Sequence, residues 1–181
     1  MPRPSFHAMA KRLSAFAPVA DAKTRILIVG SMPSEASLLL GQYYGNPKNA
    51  FWRLIYAAFG QKYDESYEAR LAFLLKRGLG LWDAAQSCER EGSLDAKIRN
   101  VEYADFEGLF LRYPGIGQLL CNGGTAFRLY QAAAQGLEER PCAQLPSSSP
   151  AAAKWRLEEK LAVWAPYLRG ECFLKRAEKL E

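Results

Sequence analysis

Residues 25–29, RILIV, form a continuous run in which apolar and β-branched residues predominate. A strand with one face in water alternates apolar and polar residues, whereas a strand buried on both faces does not. Two later segments share this character, LGLWD at 79–83 and IGQLLCN at 116–122, and CAQLP at 142–146 is a weaker fourth. The run therefore predicts a strand inside a sheet that is covered on both faces.

Helical patterns separate the predicted strands. Apolar residues recur at spacings of three and four over residues 49–60 and 65–77, a further helix is expected after Gly124, and the longest is expected near residues 150–168. Strands that alternate with helices are typical of a parallel sheet between two layers of helices. We therefore predict an α/β fold, a three-layer α/β/α sandwich with a central four-stranded parallel sheet.

The chain length predicts one domain. A chain of 181 residues suits a single core, so we expect residues 1–181 to form one domain, with residues 1–20 as a loosely attached N-terminal segment. No apolar run approaches the roughly 20 residues that span a bilayer, and the N-terminus lacks the long apolar stretch of a secretion signal. We expect a cytoplasmic protein without a membrane partner.

Charge, cysteine and histidine usage narrow the kinds of site. The formal net charge of +5 permits a polyanionic partner without requiring one. The four cysteines form no CxxC pair and fit no zinc or iron–sulfur spacing, so we interpret them as reduced thiols. The single histidine, His7, lies in the N-terminal segment, which argues against a histidine-based triad or a histidine-rich metal site.

Small, polar, turn-forming segments follow all four predicted strands: GSMPSEAS, AAQSCEREGS, GGTA and SSSP. Because ligands of open parallel sheets bind beyond the carboxyl ends of the strands, we expect a site at this edge. None of the segments is a dinucleotide fingerprint or a phosphate loop with its lysine. Taken alone, VGSMPS is more typical of a plain tight turn than of a site.

The stretch YYGNPKNAFW, residues 43–52, belongs to the first of these loops. Tyr44 can stack on a nucleobase, and Asn49 carries both a donor and an acceptor that can orient a water. Turn formation and helix capping explain Asn46 and Asn49 equally well at this point. Phe51 is expected to pack inward.

The other loops each offer one candidate group. Asp83, at the end of its strand, can hydrogen-bond a base edge or cap the next turn. Asn122 precedes two glycines, which permit close approach of a ligand. Hydroxyl and N–H groups of a serine loop are good phosphate contacts, or they cap the helix that follows. The serines concerned are Ser147, Ser148 and Ser149.

Together these segments resemble a known family. ILIVGSMPSEASLLLGQYYGNPKNAFW resembles the first motif of the uracil-DNA glycosylase superfamily, and LPSSSP resembles the second. GLWDAAQSCEREGSLDAKIRN is similar to the middle of one branch, the hypoxanthine-DNA (deoxyinosine) glycosylases, or family 6. The resemblance covers about residues 25–165, most of the chain.

Two positions depart from other branches of that superfamily. The mismatch-specific branch has G-x-N-P with a water-directing asparagine, and here Met32 stands before Pro33. Leu145 occupies the slot where the uracil branch has a histidine. The resemblance to the hypoxanthine branch implies that Asn49, in P-x-N-x-F-W, is the catalytic residue.

The resemblance also implies the remaining roles. Tyr44 would stack on the flipped base, backbone N–H groups near Ser31 and Met32 would stabilise the departing base, and the serine loop would hold the DNA backbone. Asp83 stands where other branches carry a base-reading asparagine, and Asn122 is a further base-binding candidate.

The implied activity is hydrolysis of the N-glycosidic bond of deaminated bases in DNA, and the expected substrate base is hypoxanthine (deoxyinosine). The enzyme would be a monofunctional glycosylase, a monomer in the bacterial cytosol or nucleoid, with no metal and no cofactor. Three alternatives remain open: a uracil or mismatch-specific glycosylase, a non-catalytic damaged-DNA-binding protein of the same fold, and a small-molecule nucleotide-binding protein.

Overall fold

The structure, a computed structural model, describes residues 12–172. Strands and helices alternate through most of this range. The strands are β1 (Arg12–Ser14), β2 (Ile26–Gly30), β3 (Leu79–Asp83), β4 (Ala85–Glu89), β5 (Arg99–Tyr103), β6 (Gln118–Asn122) and β7 (Cys142–Leu145). The α-helices are α1 (Glu35–Leu40), α2 (Phe51–Ala58), α3 (Tyr67–Lys76), α4 (Phe106–Arg112), α5 (Gly124–Ala133) and α6 (Leu157–Leu168).

A four-stranded parallel sheet in the order β3-β2-β6-β7 lies at the centre. Successive residues of β2 point to opposite faces, as the strand pleat requires. Ile26 and Ile28 join a core formed with α2, α3 and α6, whereas Leu27 and Val29 join a second core formed with α4 and α5. Because both faces are covered, the run at residues 25–29 is apolar throughout, and the predicted three-layer α/β/α sandwich is confirmed.

The predicted helices are found with one change of boundary. The helices expected at residues 49–60, at 65–77 and after Gly124 correspond to α2, α3 and α5. The helix expected from residue 150 begins only at Leu157, because the Glu159 side chain accepts a hydrogen bond from the backbone N–H of Arg156 at 2.7 Å and so caps the helix there. Within residues 12–172, no helix is long and apolar enough to cross a membrane.

A second sheet, antiparallel in the order β1-β4-β5, was not expected from the sequence. The segment AAQSCEREGS was predicted to be a loop, and this was wrong for its first half, because residues 85–89 form β4. Ala85, Ser87 and Cys88 are buried while Gln86 is exposed, and pairing with strands on both sides satisfies the backbone of this segment. The loop itself starts at Arg90.

Residues 12–20 are tied to the rest of the fold. β1 pairs with β4, and the Trp82 indole N–H donates to the carbonyl of Phe16 at 3.3 Å. The prediction that residues 1–20 are loosely attached is therefore wrong for residues 12–20. Residues 1–11, which include the single histidine, lie outside the described residues.

Candidate active site

One pocket of about 280 Å³ lies at the carboxyl edge of the parallel sheet. Its walls come from the segments that follow all four strands, as expected for loops at the carboxyl ends of parallel strands. All nine candidate residues line it: Ser31, Met32, Tyr44, Asn49, Asp83, Asn122, Ser147, Ser148 and Ser149. A volume near the lower end of ligand sites, about 300 Å³, suits a single base better than a dinucleotide.

Tyr44 forms a rigid aromatic platform. Its φ of 54° is in the left-handed region, which costs a non-glycine residue on the order of 1–3 kcal/mol and persists only where the surroundings hold it. Its ring stacks on fully buried Phe51, with centroids 3.7 Å apart and planes 13° apart. Because Phe51 covers one face, a ligand ring must stack on the opposite one.

Asn122 holds three parts of the site together. Its Nδ2 donates to the Tyr44 hydroxyl at 3.1 Å and to Ser148 Oγ at 2.8 Å, and its Oδ1 accepts from the Ser148 backbone N–H at 2.8 Å. Both amide hydrogens are therefore engaged within the protein. In this arrangement Asn122 positions Tyr44 and the serine loop, and its amide has no free hydrogen with which to read a base.

The serine loop divides into one buried and two accessible residues. Ser148 is 1% exposed, and its backbone carbonyl also accepts from the N–H of Ala50 at 3.0 Å. Ser147 and Ser149 are half-buried. Ser148 therefore has fewer groups available to DNA than its neighbours, because its backbone N–H, its carbonyl and its hydroxyl oxygen are all engaged within the protein. That all three serines contact DNA stays a prediction.

Asn49 has one side of its amide bonded within the protein and the other side free. Its Oδ1 accepts at 2.9 Å from the backbone N–H of Phe51, the first residue of α2, although the N-cap position itself is held by Ala50. This bond fixes which side of the amide faces the helix. The Asn49 Nδ2 group has no hydrogen-bond partner in the part of the chain that the structure describes, and Asn49 lines the pocket.

Asp83 is a buried carboxyl group without a full set of partners. It is 4% exposed, and its Oδ2 has no hydrogen-bond partner among residues 12–172. Burial, followed by the nearby charge of Asp95, raises the pKa of Asp83 to about 7, while Arg90 opposes this rise. A Cβ at Gly30 would lie 2.1 Å from Asp83 Oδ1, so only glycine leaves room for the carboxyl group there.

Ser31 and Met32 both line the pocket but differ in environment. The Ser31 hydroxyl donates to Asp95 Oδ1 at 2.8 Å. Met32 is 6% exposed and packs against Ala85 and Cys88. A contact of Met32 with a ligand would therefore come mainly from its backbone.

Sequence reasoning missed the second wall of the pocket, which is the loop between β4 and β5. Ser93, Leu94 and Asp95 line the pocket, and Arg90 is 3% exposed beneath them. The Arg90 guanidinium donates to the carbonyls of Gly92 and Pro33, which ties this loop to the segment after β2. The available signal was the motif GLWDAAQSCEREGSLDAKIRN, from which only Asp83 was selected.

No group of three or more His, Cys, Asp or Glu side chains is placed to hold a metal ion within residues 12–172.

Comparisons with known proteins identify the family of the chain. Residues 17–169 match the family model described as the Uracil DNA glycosylase superfamily. A protein of Methanosarcina acetivorans named Hypoxanthine DNA glycosylase is 42% identical over 135 residues, covering 74% of this chain and 84% of the relative. A protein of the same name from Methanosarcina barkeri is 40% identical over 109 residues, covering 60% of this chain and 69% of the relative.

A solved structure has the same architecture. The solution NMR structure of a candidate uracil DNA glycosylase from Methanosarcina acetivorans superposes with a TM-score of 0.78 at 37% identity. The alignment covers 89% of this chain and 99% of the other. With the family model matching most of the chain, the protein belongs to the uracil DNA glycosylase superfamily.

Proposed function

We propose that this protein is a monofunctional DNA glycosylase that removes hypoxanthine from DNA. The observation that carries the proposal is the pocket, which brings together an aromatic platform, an amide that can hold water and an unpaired carboxyl group. Superfamily membership and about 40% identity to two proteins named Hypoxanthine DNA glycosylase support the choice of base.

The target base must leave the duplex to reach this pocket. The open face of Tyr44 receives it, and stacking contributes about 1–3 kcal/mol per base. Phe51 behind the ring and Asn122 at its hydroxyl hold the platform in place before the base arrives. Binding therefore requires little reordering of Tyr44.

Asn49 is the proposed catalytic residue. With Oδ1 held by the N–H of Phe51, its free amide hydrogens and the second lone pair of Oδ1 remain for a water molecule. No lysine lines this pocket among the described residues. A positioned water, which attacks C1′ and leaves an abasic site, is therefore the nucleophile in this proposal.

Asp83 is proposed to act on the departing base. A carboxyl group with a pKa near 7 is partly protonated at neutral pH, and its unpaired Oδ2 can donate to an acceptor atom of the purine. As the water oxygen bonds to C1′ and the C1′–N9 bond breaks, the electron pair of that bond goes to the base and the Asp83 proton neutralises it. The attacking water gives up one proton to solvent, and the Asp83 carboxylate takes one back from solvent. Backbone N–H groups at Ser31 and Met32 are proposed to support the same charge.

Ser147 and Ser149 are proposed to contact the DNA backbone. Each hydroxyl oxygen accepts from a backbone N–H within the loop, at 3.2 Å in both cases, which leaves its hydrogen free for a phosphate. Ser148 and Asn122 hold the loop from behind. We further propose that residues 1–181 act as a single domain and a monomer on DNA in the cytoplasm.

The test is base release from oligonucleotides that contain deoxyinosine, deoxyuridine or deoxyxanthosine, detected by alkaline strand cleavage. Fastest release from deoxyinosine is expected. Release from none of the three would contradict the enzyme proposal, and binding of damaged DNA without release would favour a non-catalytic binding protein. Faster release from deoxyuridine would contradict the choice of hypoxanthine.

A further inference from the structure

A second pocket of about 200 Å³ lies on the other side of the serine loop. Three cationic side chains line it: Lys48 before α2, Arg53 on α2 and Lys160 on α6. Ser148, Ser149 and Ala152 line both this pocket and the active-site pocket. The cations are therefore separated from the proposed base site only by the loop.

Lys160 is the unusual member of this group. The residue as a whole is 5% exposed, it lines the pocket, and within residues 12–172 its ammonium group has neither a hydrogen-bond acceptor nor a carboxylate partner. Burial, followed by the Arg53 guanidinium, lowers the pKa of Lys160. Because Lys160 Nζ is not among the fully buried unpaired polar atoms, the ammonium group still contacts solvent. Most of its stem is buried and no protein carboxylate lies beside it, so a ligand that supplies negative charge would compensate it.

The lining of the pocket selects an anion. None of its described lining residues is acidic, and neither Lys48 nor Arg53 forms an ion pair among the described residues. The Ser149 hydroxyl, which lines this pocket, accepts from the N–H of Ala151 at 3.2 Å, and its own hydrogen remains for a ligand. An ammonium, a guanidinium and a hydroxyl together match the oxygens of a phosphate group.

We propose that the pocket lined by Lys48, Arg53 and Lys160 binds one backbone phosphate of the DNA strand that carries the target base. The proposal rests on the proposed function, because it takes DNA as the partner. A phosphate held here would fix the strand against the serine loop while the base occupies the neighbouring pocket. Such a contact positions the strand and carries no sequence information.

The first test is the salt dependence of DNA binding by Lys160→Met, which keeps most of the apolar stem and removes the charge. Loss of one phosphate contact is expected to lower the slope of log affinity against log salt by about 0.9 for duplex DNA. The affinity should fall about tenfold for DNA with or without deoxyinosine. An unchanged slope in a folded variant would overturn the proposal.

Lys76→Met is the matched control. Lys76 is exposed in the last turn of α3, just before β3 begins, and so lies at the opposite edge of the sheet. The same charge is removed, and no change in slope is expected. Lys160→Arg should keep most of the affinity, and thermal unfolding checks that all three variants are folded.

The second test uses oligonucleotides in which one phosphate at a time is replaced by a neutral methylphosphonate. The wild-type protein should lose affinity most at one linkage near the target base, and Lys160→Met should show no further loss at that linkage. Equal losses for both proteins at every linkage would overturn the proposal. If inorganic phosphate stabilises the wild type through Lys160 while DNA binding is independent of Lys160, the pocket takes free phosphate and the proposal is also overturned.

Base release by the wild type in the same samples separates the two proposals. If the wild type releases hypoxanthine but its DNA affinity and salt slope do not depend on Lys160, this inference alone is overturned. A protein that shows the phosphate coupling but releases no base overturns the proposed enzymatic activity and supports the phosphate pocket.

Discussion

Asn122 and Asp83 end the two strands that flank β2, yet they differ in hydrogen bonding. The Asn122 amide makes three hydrogen bonds within the protein, at 2.8 to 3.1 Å. Asp83 is more deeply buried than Asn122, and yet its Oδ2 has no partner among the described residues. The polar side chain at the end of β6 therefore has a full set of hydrogen-bond partners, and the one at the end of β3 does not.

This difference in hydrogen bonding distinguishes a residue that positions others, Asn122, from one that is available for the reaction, Asp83. A fully bonded polar network is rigid and keeps its members in one arrangement, which suits the platform formed by Tyr44 and the serine loop. A buried polar group without a partner is rare, and a perturbed pKa in a cleft is typical of functional sites. We therefore expect removal of the Asn122 amide to destabilise the fold, and changes at Asp83 and Asn49 to slow the reaction without destabilising the fold at neutral or higher pH.

The largest expected effect is that of Asn49→Ala on base release. Loss of the positioned water should lower the single-turnover rate by at least about 100-fold, with little change in DNA affinity. Asn46→Ala is the control, because Asn46 lies in the same loop, accepts from the N–H of Lys48 at 3.0 Å and does not line the pocket. A wild-type rate in Asn49→Ala would remove Asn49 from the mechanism.

The next effect is on stability at Asp83. Its folded pKa is raised from 3.8 to about 7, so its protonated form favours the folded state, and this stability is complete below about pH 4 and lost as pH rises through 7. A shift of this size corresponds to about 4 kcal/mol. Asp83→Asn should therefore be more stable than the wild type at pH 8 by about 2–4 kcal/mol, measured by urea unfolding, and the difference should vanish near pH 4.

A smaller loss of stability is expected for Asn122→Ala. The variant leaves the buried N–H of Ser148 without its acceptor, which costs about 1–3 kcal/mol. Urea unfolding at pH 7 measures the loss. If Asn122→Ala is as stable as the wild type and only base release falls, Asn122 acts on the base directly and the distinction from Asp83 fails.

The smallest effect is expected for Tyr44→Phe. The ring and its stack on Phe51 remain, while the hydroxyl that accepts from Asn122 is lost. We expect a loss of about 1 kcal/mol in unfolding free energy and nearly wild-type affinity for deoxyinosine DNA. A large loss of affinity would show that the hydroxyl contacts the base.

The sequence was sufficient for the positions of both strand ends. Continuous apolar strands imply a parallel sheet, and in such a sheet Asp83 and Asn122 must lie at the same edge. The sequence was insufficient to predict the hydrogen bonds of these two residues, because hydrogen bonding depends on the direction of each side chain. The inward turn of Ser148, the stack of Tyr44 on Phe51 and the approach of Arg90 all arise from loop conformations that no local pattern specifies.

The second wall of the pocket was missed for a related reason. Asp95 reaches the site only because β4 and β5 form an antiparallel hairpin beside the main sheet. Strand β4 is five residues long and mixes alanine, serine and cysteine with polar residues. Such a strand resembles a loop in sequence, and its pairing is decided by long-range contacts.

The most direct test of the account is the pH dependence of hypoxanthine release by the wild type and by Asp83→Asn, under single-turnover conditions with saturating protein. The wild-type rate should be highest below about pH 7 and fall above it, as the Asp83 carboxyl group with its pKa of about 7 loses its proton. The variant should be slower and should lack this fall. Identical profiles for the two proteins, or no release of hypoxanthine at any pH, would contradict the account.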